Sequence, residues 1–266
     1  MDMNNIIHNL KIRNLIKIYK KNNRKIFFVE GFKEFEMAIK GGFSPIKIFL
    51  CKKIFQKYNF IEFFHHLIFY ISQKDFKRIA YREKTGGIIT LFKRNDSFFE
   101  KLKNIKKPKN SLILILDGIE KPGNLGGILR TANATGIHFV MLCNIRTYIF
   151  NPNVIRCSLG SVFNTKIIFD QKKSIISWLQ ENDIKIIVTG TDLHKEKSVL
   201  LYKTKFPTHL AIVLGSEDKG VSPIWFHIAH EIITIPMFGN VDSLNVSNAM
   251  SIIIYEIIRQ RKYYYT

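Results

Sequence analysis

Short apolar runs punctuate the chain, and their period changes along it. "KIFFVEG" (25–31), "PIKIFL" (45–50) and "KTGGIITLFKR" (84–94) read as strands. Between the first two, "FKEFEMAIKGG" (32–42) repeats its apolar residues at helical spacing and closes on glycine. These elements predict a small α/β domain over residues 1–95. A lysine-rich, weakly periodic stretch, "FKRNDSFFEKLKNIKKPKNS" (92–111), reads as a linker with one helical turn, assigned to 96–110. From 111 to 266 the runs "SLILILDG", "HFVMLCN", "TKIIFD", "IKIIVTGTD", "LAIVLGSE" and "EIITIP" alternate with helical patterns. Near-continuous apolar strands of this kind predict an α/β domain with a mostly parallel sheet covered on both faces.

Composition adds a charge. Of 266 residues 46% are hydrophobic, enough for a sizeable core, while 41 Lys and Arg stand against 21 acids, a formal +20. That excess favours a polyanionic partner such as nucleic acid, although the wealth of Ile, Lys, Asn and Phe typical of an AT-rich genome supplies part of it. The segment "MDMNNIIHNLKIRNLIKIYKKNNRK" (1–25) interrupts its apolar residues with charges and forms no secretory h-region. It reads as a packed N-terminal helix, with a basic amphipathic helix on a membrane surface as the alternative. No apolar run approaches the roughly 20 residues of a membrane span, and a cytoplasmic location is expected. Cys51, Cys143 and Cys157 make no CxxC pair, so neither a disulfide framework nor a zinc ribbon is indicated.

Glycine-rich turns after parallel strands commonly face a ligand, yet the familiar nucleotide motifs fail. "GSEDKGVS" (215–222) has the glycines of a P-loop but carries Val221 in the place of its lysine, and "PGNLGG" (122–127) is not GxGxxG. "HIAHE" (227–231) is neither HExxH nor HxxEH and reads as a histidine pair, not a zinc site. Three other segments share a different logic: "DGIEKPGNLGGILRTANATG" (117–136), "IVLGSEDKGVS" (212–222) and "IPMFGNVDSLNVSNAMSIIIYEIIRQR" (235–261). In order and spacing they resemble the three motifs of the SpoU (TrmH-type) RNA ribose 2'-O-methyltransferases. "NPNVIRCSLGSVF" (151–163) resembles the Arg-x-Ser-x-Gly segment between the first two. More weakly, "RKIFFVEGFKEFEMAIKGG" and "TGGIITLF" resemble the ribosomal-protein-type RNA-binding module that precedes the catalytic domain in many family members.

The resemblance implies S-adenosyl-L-methionine as methyl donor, a deep trefoil knot in the α/β sheet and a homodimer with composite active sites. It implies structured RNA as substrate, rRNA before tRNA, and no metal. Arg130, Asn124, Glu217, Ser243 and Asn245 match its catalytic positions. Thr189, Gly190, Leu214, Gly215, Ile235, Met237, Leu244 and Asn245 match its cofactor pocket. Two positions depart from the common pattern: Lys121 replaces the frequent Asp before the proline, and Cys157 replaces a small residue after Arg156.

The residues support part of this independently. A helix starting at Asn124 or Leu125 buries Leu125, Ile128, Leu129 and Ala132, and sets Gly126 and Arg130 one turn apart on an adjacent face. Arg130 then leans toward the Asn124 loop, to meet an RNA phosphate or the reacting ribose; pairing with a carboxylate of the chain is the structural alternative. Its permanently charged guanidinium is expected to hold phosphate and developing alkoxide more readily than to act as a free base. Gly215 lets backbone approach a ligand closely, or simply serves an ordinary turn. Val246, Ala249, Met250, Ile253, Ile254 and Ile257 define a buried helix, and Ser243, Asn245, Ser247 and Asn248 before and within its first turn exceed what one N-cap requires. Since all three motifs lie beyond 110, the domain from 111 is expected to fold without residues 1–95.

Overall fold

The computed structural model describes residues 25–56, 62–81, 85–95, 98–190 and 198–263. The helix read within 1–24 and the end of "IKIIVTGTD" at 191 and 192 lie outside them. The chain forms two units, one of residues 1–96 with 150–164, the other of 97–149 with 165–266.

The first unit contains β1 (Ile26–Glu30), α1 (Phe32–Lys40), β2 (Pro45–Leu50), β3 (Ile68–Tyr70), α2 (Gln73–Ile79) and β4 (Ile88–Lys93). Its sheet has the order β1-β4-β2-β3; β4 is antiparallel to β1 and β2, and β3 runs parallel to β2. The strand read over 84–94 is thus confined to its β-branched and aromatic part, after the positive-φ glycines Gly86 and Gly87.

In the second unit β5 (Leu112–Asp117), α3 (Pro122–Thr135) and β6 (Phe139–Cys143) come first. The chain then leaves through α4 (Pro152–Cys157) and returns with β7 (Ile167–Phe169), α5 (Lys172–Glu181), β8 (Lys185–Thr189) and β9 (Val199–Leu200). It ends with β10 (Leu210–Gly215), α6 (Pro223–Ile228), β11 (Glu231–Thr234) and α7 (Val246–Tyr263). The seven strands lie in the order β7-β6-β5-β10-β8-β11-β9, and every ladder is parallel. Leu112, Ile113, Leu114, Ile115 and Leu116 are all buried, as covering on both faces requires.

Two boundaries differ from the sequence reading. The stretch taken as a linker makes the expected helical turn, Leu102–Asn104, but packs on the second unit: Leu102 is buried in its core and Trp178 Nε1 donates to the Ile105 carbonyl at 3.4 Å. The Arg-x-Ser-x-Gly segment, read as part of the second domain, is core of the first unit. Phe150 stacks on Phe27 with centroids 4.4 Å apart, Phe163 meets Phe43 at 5.3 Å, and Val154, Ile155 and Val162 are buried with them. A Cβ on Gly41 would lie 2.3 Å from the Phe163 carbonyl oxygen, and one on Gly160 would lie 2.7 Å from Met37 Cβ. Nothing in the local pattern of 150–164 reports this, because its partners are more than a hundred residues upstream.

At the amino ends of the parallel strands, His138, His209 and His230 each precede a strand and accept a backbone N–H at or next to the start of a neighbouring strand. His138 Nδ1 takes Leu112 N at 3.1 Å, His230 Nδ1 takes Ile186 N at 3.1 Å, and His209 Nδ1 takes Ser111 N at 3.3 Å. "HIAHE" therefore supplies a strand cap through His230. An accepting Nδ1 carries no proton. Burial first, with Arg261 and Lys166 nearby, holds His138 below its ordinary 6.5. Below 6.5 the unfolded chain then binds a proton that the folded chain refuses, so stability rises with pH there. Thermal denaturation between pH 7.5 and 5 should show Tm falling as the pH drops through 6.5, and His138→Asn should flatten that dependence; an unchanged profile would show that His138 does not contribute.

Candidate active site

Strand order locates the site before any side chain does. From β5 the chain runs outward through α3 to β6, and from β10 it runs to the other side through α6 to β11, so the switch point of the sheet lies between β5 and β10. Ligands of such sheets bind outside the carboxyl ends of the strands at that point. The helix that follows β5 carries Asn124 in its first turn, and the loop that follows β10 carries Glu217.

Proline at the first helical position starts α3 at Pro122, two residues before the expected start, which places Asn124 inside the first turn. Leu125, Ile128, Leu129 and Ala132 are buried as expected, and Gly126 with them. Asn124 Nδ2 donates to Glu217 Oε1, and Asn124 Oδ1 accepts from Asn245 Nδ2 at 3.0 Å. One carboxamide thus joins the first motif to the second and the third. Asn245 Oδ1 in turn accepts from Ser247 N at 3.0 Å and Ser247 Oγ at 2.7 Å, which caps α7. Capping and site contact are therefore made by the same residue through its two ends. Ser243 and Asn248 are exposed, and no side-chain bond joins them to this network.

Arg130 is exposed and makes no hydrogen bond or ion pair with the described residues, so no carboxylate among them pairs with it. The half-buried Glu217 offers its second oxygen, Oε2, without a hydrogen-bond partner among the described residues.

Gly215 needs its missing side chain for an internal reason. A Cβ there would lie 2.1 Å from the Gly220 carbonyl carbon, where Ser216 and Gly220 exchange backbone bonds to fold the loop back. A bulky residue at 215 would thus break this loop whatever it does to a ligand, and Leu244, half-buried, is the cleaner probe of a pocket. The β10–β8 ladder ends at Val213↔Val188, whereas β10–β5 continues to Gly215↔Asp117. The backbone of Leu214 and Gly215 consequently parts from β8 beside Thr189, whose Oγ1 donates to the Val213 carbonyl, and Gly190, whose N–H goes to Ile233. Ile235, Met237 and Leu244 are half-buried apolar residues after β11.

Asp117 escaped the sequence reading. Buried at the end of β5, it accepts from Asn144 Nδ2 at 2.8 Å and Ser222 N at 3.1 Å, with Lys172 Nζ at 3.8 Å; Lys172 also donates to Ser222 Oγ. It anchors the far end of the Glu217 loop. Its signal was an acid closing an otherwise wholly apolar strand. Burial first, then the Asp117 carboxylate, pushes the Cys143 thiol up, so it stays protonated and donates to the Leu116 carbonyl.

Residues 111–255 match the SpoU rRNA Methylase family and residues 9–90 the MRM3-like substrate binding domain. The 23S rRNA (guanosine-2'-O-)-methyltransferase RlmB of Salmonella typhi is 36% identical over 150 residues, 56% of this chain and 60% of that protein. The chain thus aligns with less than two thirds of that relative's length. A crystal structure of an RNA 2'-O ribose methyltransferase superposes with TM-score 0.82 at 26% identity, over 94% of this chain and 96% of the other. An AdoMet-bound rRNA methyltransferase from Sinorhizobium meliloti shares the fold with TM-score 0.80 at 23% identity, over 94% and 93%. With more than half of its residues matching, and with the three motif segments meeting at one switch point, the chain belongs to the SpoU rRNA Methylase family.

Proposed function

We propose that this chain transfers a methyl group from S-adenosyl-L-methionine to a ribose 2'-hydroxyl of structured RNA, with 23S rRNA as the substrate class. The observation that carries the reading is the bonding of Glu217, Asn124 and Asn245 across three motifs, together with an exposed Arg130 on the same helix as Asn124 that has no partner among the described residues. A charge of +20 suits the polyanion, and both RlmB and the SpoU rRNA Methylase match point to rRNA.

The residues fit the cofactor. An adenosine needs an apolar slot with a few backbone donors and acceptors, and the parted edge at Thr189, Gly190, Leu214 and Gly215, with Ile235, Met237, Leu244 and Asn245, supplies both. The bound cofactor would supply an electrophilic methyl on a sulfonium. Arg130 would hold the RNA phosphate and the oxygen as negative charge develops. Asn124, Asn245 and Ser243 orient the hydroxyl, and Glu217 Oε2 takes its proton, a task for which a permanently charged guanidinium is poorly suited. We further infer a cytoplasmic homodimer, in which a second copy covers the exposed Phe238, Val241 and Tyr255. The insertion of β10 between the earlier strands β5 and β8 supports the trefoil knot.

Titration calorimetry with S-adenosylhomocysteine tests the pocket. One saturable site per chain, weakened at least tenfold by Leu244→Arg, is expected; absence of binding would favour a non-catalytic RNA-binding protein of the same fold.

A further inference from the structure

We propose that the hydroxyl pair Thr131–Ser251 positions Arg130 for methyl transfer, an assignment that rests on the function proposed above. Thr131 Oγ1 and Ser251 Oγ lie 3.0 Å apart, and Ser251 Oγ donates its only proton to the Ser247 carbonyl at 2.8 Å. Thr131 must therefore be the donor to Ser251. Among the described residues this bond is the last of three rungs that join α3 to α7 and to its cap, Asn245. The first joins Asn124 to Asn245; in the second, a Cβ on Gly127 would lie 3.2 Å from Ser247 Cβ, so the two helices approach closely there.

Positions 124, 127 and 131 recur along one face of α3 over about two turns, roughly 10 Å of helix. Apolar contacts from Leu125, Ile128 and Leu129 hold the helix down but are non-directional and permit it to slide or roll. Directional bonds at both ends remove that freedom. Only the outer rung acts next to Arg130, its immediate neighbour in the chain. With side chains reaching about 5–6 Å from a helix axis, a roll of about 20° would carry the guanidinium some 2 Å. Misplacement by about 1 Å can cost 10²-fold in rate. Thr131 and Ser251 are positioning residues in this account and touch no substrate.

The test uses the full chain with Thr131→Val, Ser251→Ala, the double variant and Thr131→Ser. Each single variant is expected to lower kcat about tenfold, with the S-adenosylhomocysteine Kd within twofold of the parent. The double variant should be no slower than the worse single, because both break one rung, and Thr131→Ser should restore the rate. A lowered Tm with kcat unchanged well below it would overturn the proposal, as would additive losses. Ser251→Ala leaves α3 untouched and reads the same rung if Thr131→Val folds poorly. An inactive parent protein would overturn the proposed function and this rung together, whereas an active parent with indifferent variants overturns the rung alone.

Discussion

Replacement of Arg130 by alanine is expected to reduce methyl transfer by about 10²–10³-fold, the scale on which removing one preorganised donor to a developing oxyanion acts. Thermal stability should not change, because the side chain is exposed and bonds to nothing among the described residues. S-adenosylhomocysteine affinity should stay within twofold, since Arg130 lies on α3 and the proposed pocket lies at the ends of β8, β10 and β11. Lysine at 130 should recover only part of the loss; it keeps the charge but not the bidentate fork. The informative comparison is kcat against cofactor Kd in the same variants. If Arg130→Ala retained near-normal turnover, or lost cofactor binding in parallel with it, the arginine would not be the RNA-facing charge of this site.

Deletion of residues 1–95 is expected to leave an aggregation-prone protein, contrary to what the placement of the motifs alone suggests. The deletion removes β1, α1 and β4, and with them Phe27, Phe43 and Phe92. Phe150, Val154, Ile155, Val162 and Phe163 would remain in the shortened chain with their buried faces open to water. Each such side chain forgoes about 1.5–3 kcal/mol of burial, and together they form an apolar patch of the kind that drives association. The shortened protein should bind a hydrophobic dye and self-associate. A monodisperse fragment with a cooperative melt would show that 150–164 can refold onto other partners. A deletion that also removes 150–164 through a short turn between Ile149 and Thr165 should behave better than the simple truncation.

These two expectations mark where the sequence was informative. Apolar runs of five or six residues, such as "LILIL" and "LAIVL", announced their strands, and the polar start of α7 announced a site. β3 and β9 were too short, at three and two residues, to raise a periodic signal. The membership of 150–164 rests on ring contacts with Phe27 and Phe43, which no local pattern encodes. The same holds for Leu102 and Ile105, whose apolar side chains in a lysine-rich stretch were outweighed by its charge. At the site, the motifs identified Asn124, Glu217 and Asn245 but not that one carboxamide bonds to both others. Thr131 and Ser251 read as ordinary polar helix residues until their hydroxyls are found 3.0 Å apart. Gly215 was legible as a tight position; that the approaching backbone belongs to Gly220 was not.

The most direct measurement is methyl transfer itself. Purified full-length protein would be incubated with isotopically labelled S-adenosyl-L-methionine and rRNA lacking ribose methylation, and the RNA digested to nucleosides for mass spectrometry. The account predicts label in a single 2'-O-methyl nucleoside of the 23S rRNA, absent with Arg130→Ala and with Glu217→Gln. Label on a base, or no incorporation into any RNA by a protein that binds S-adenosylhomocysteine, would contradict it.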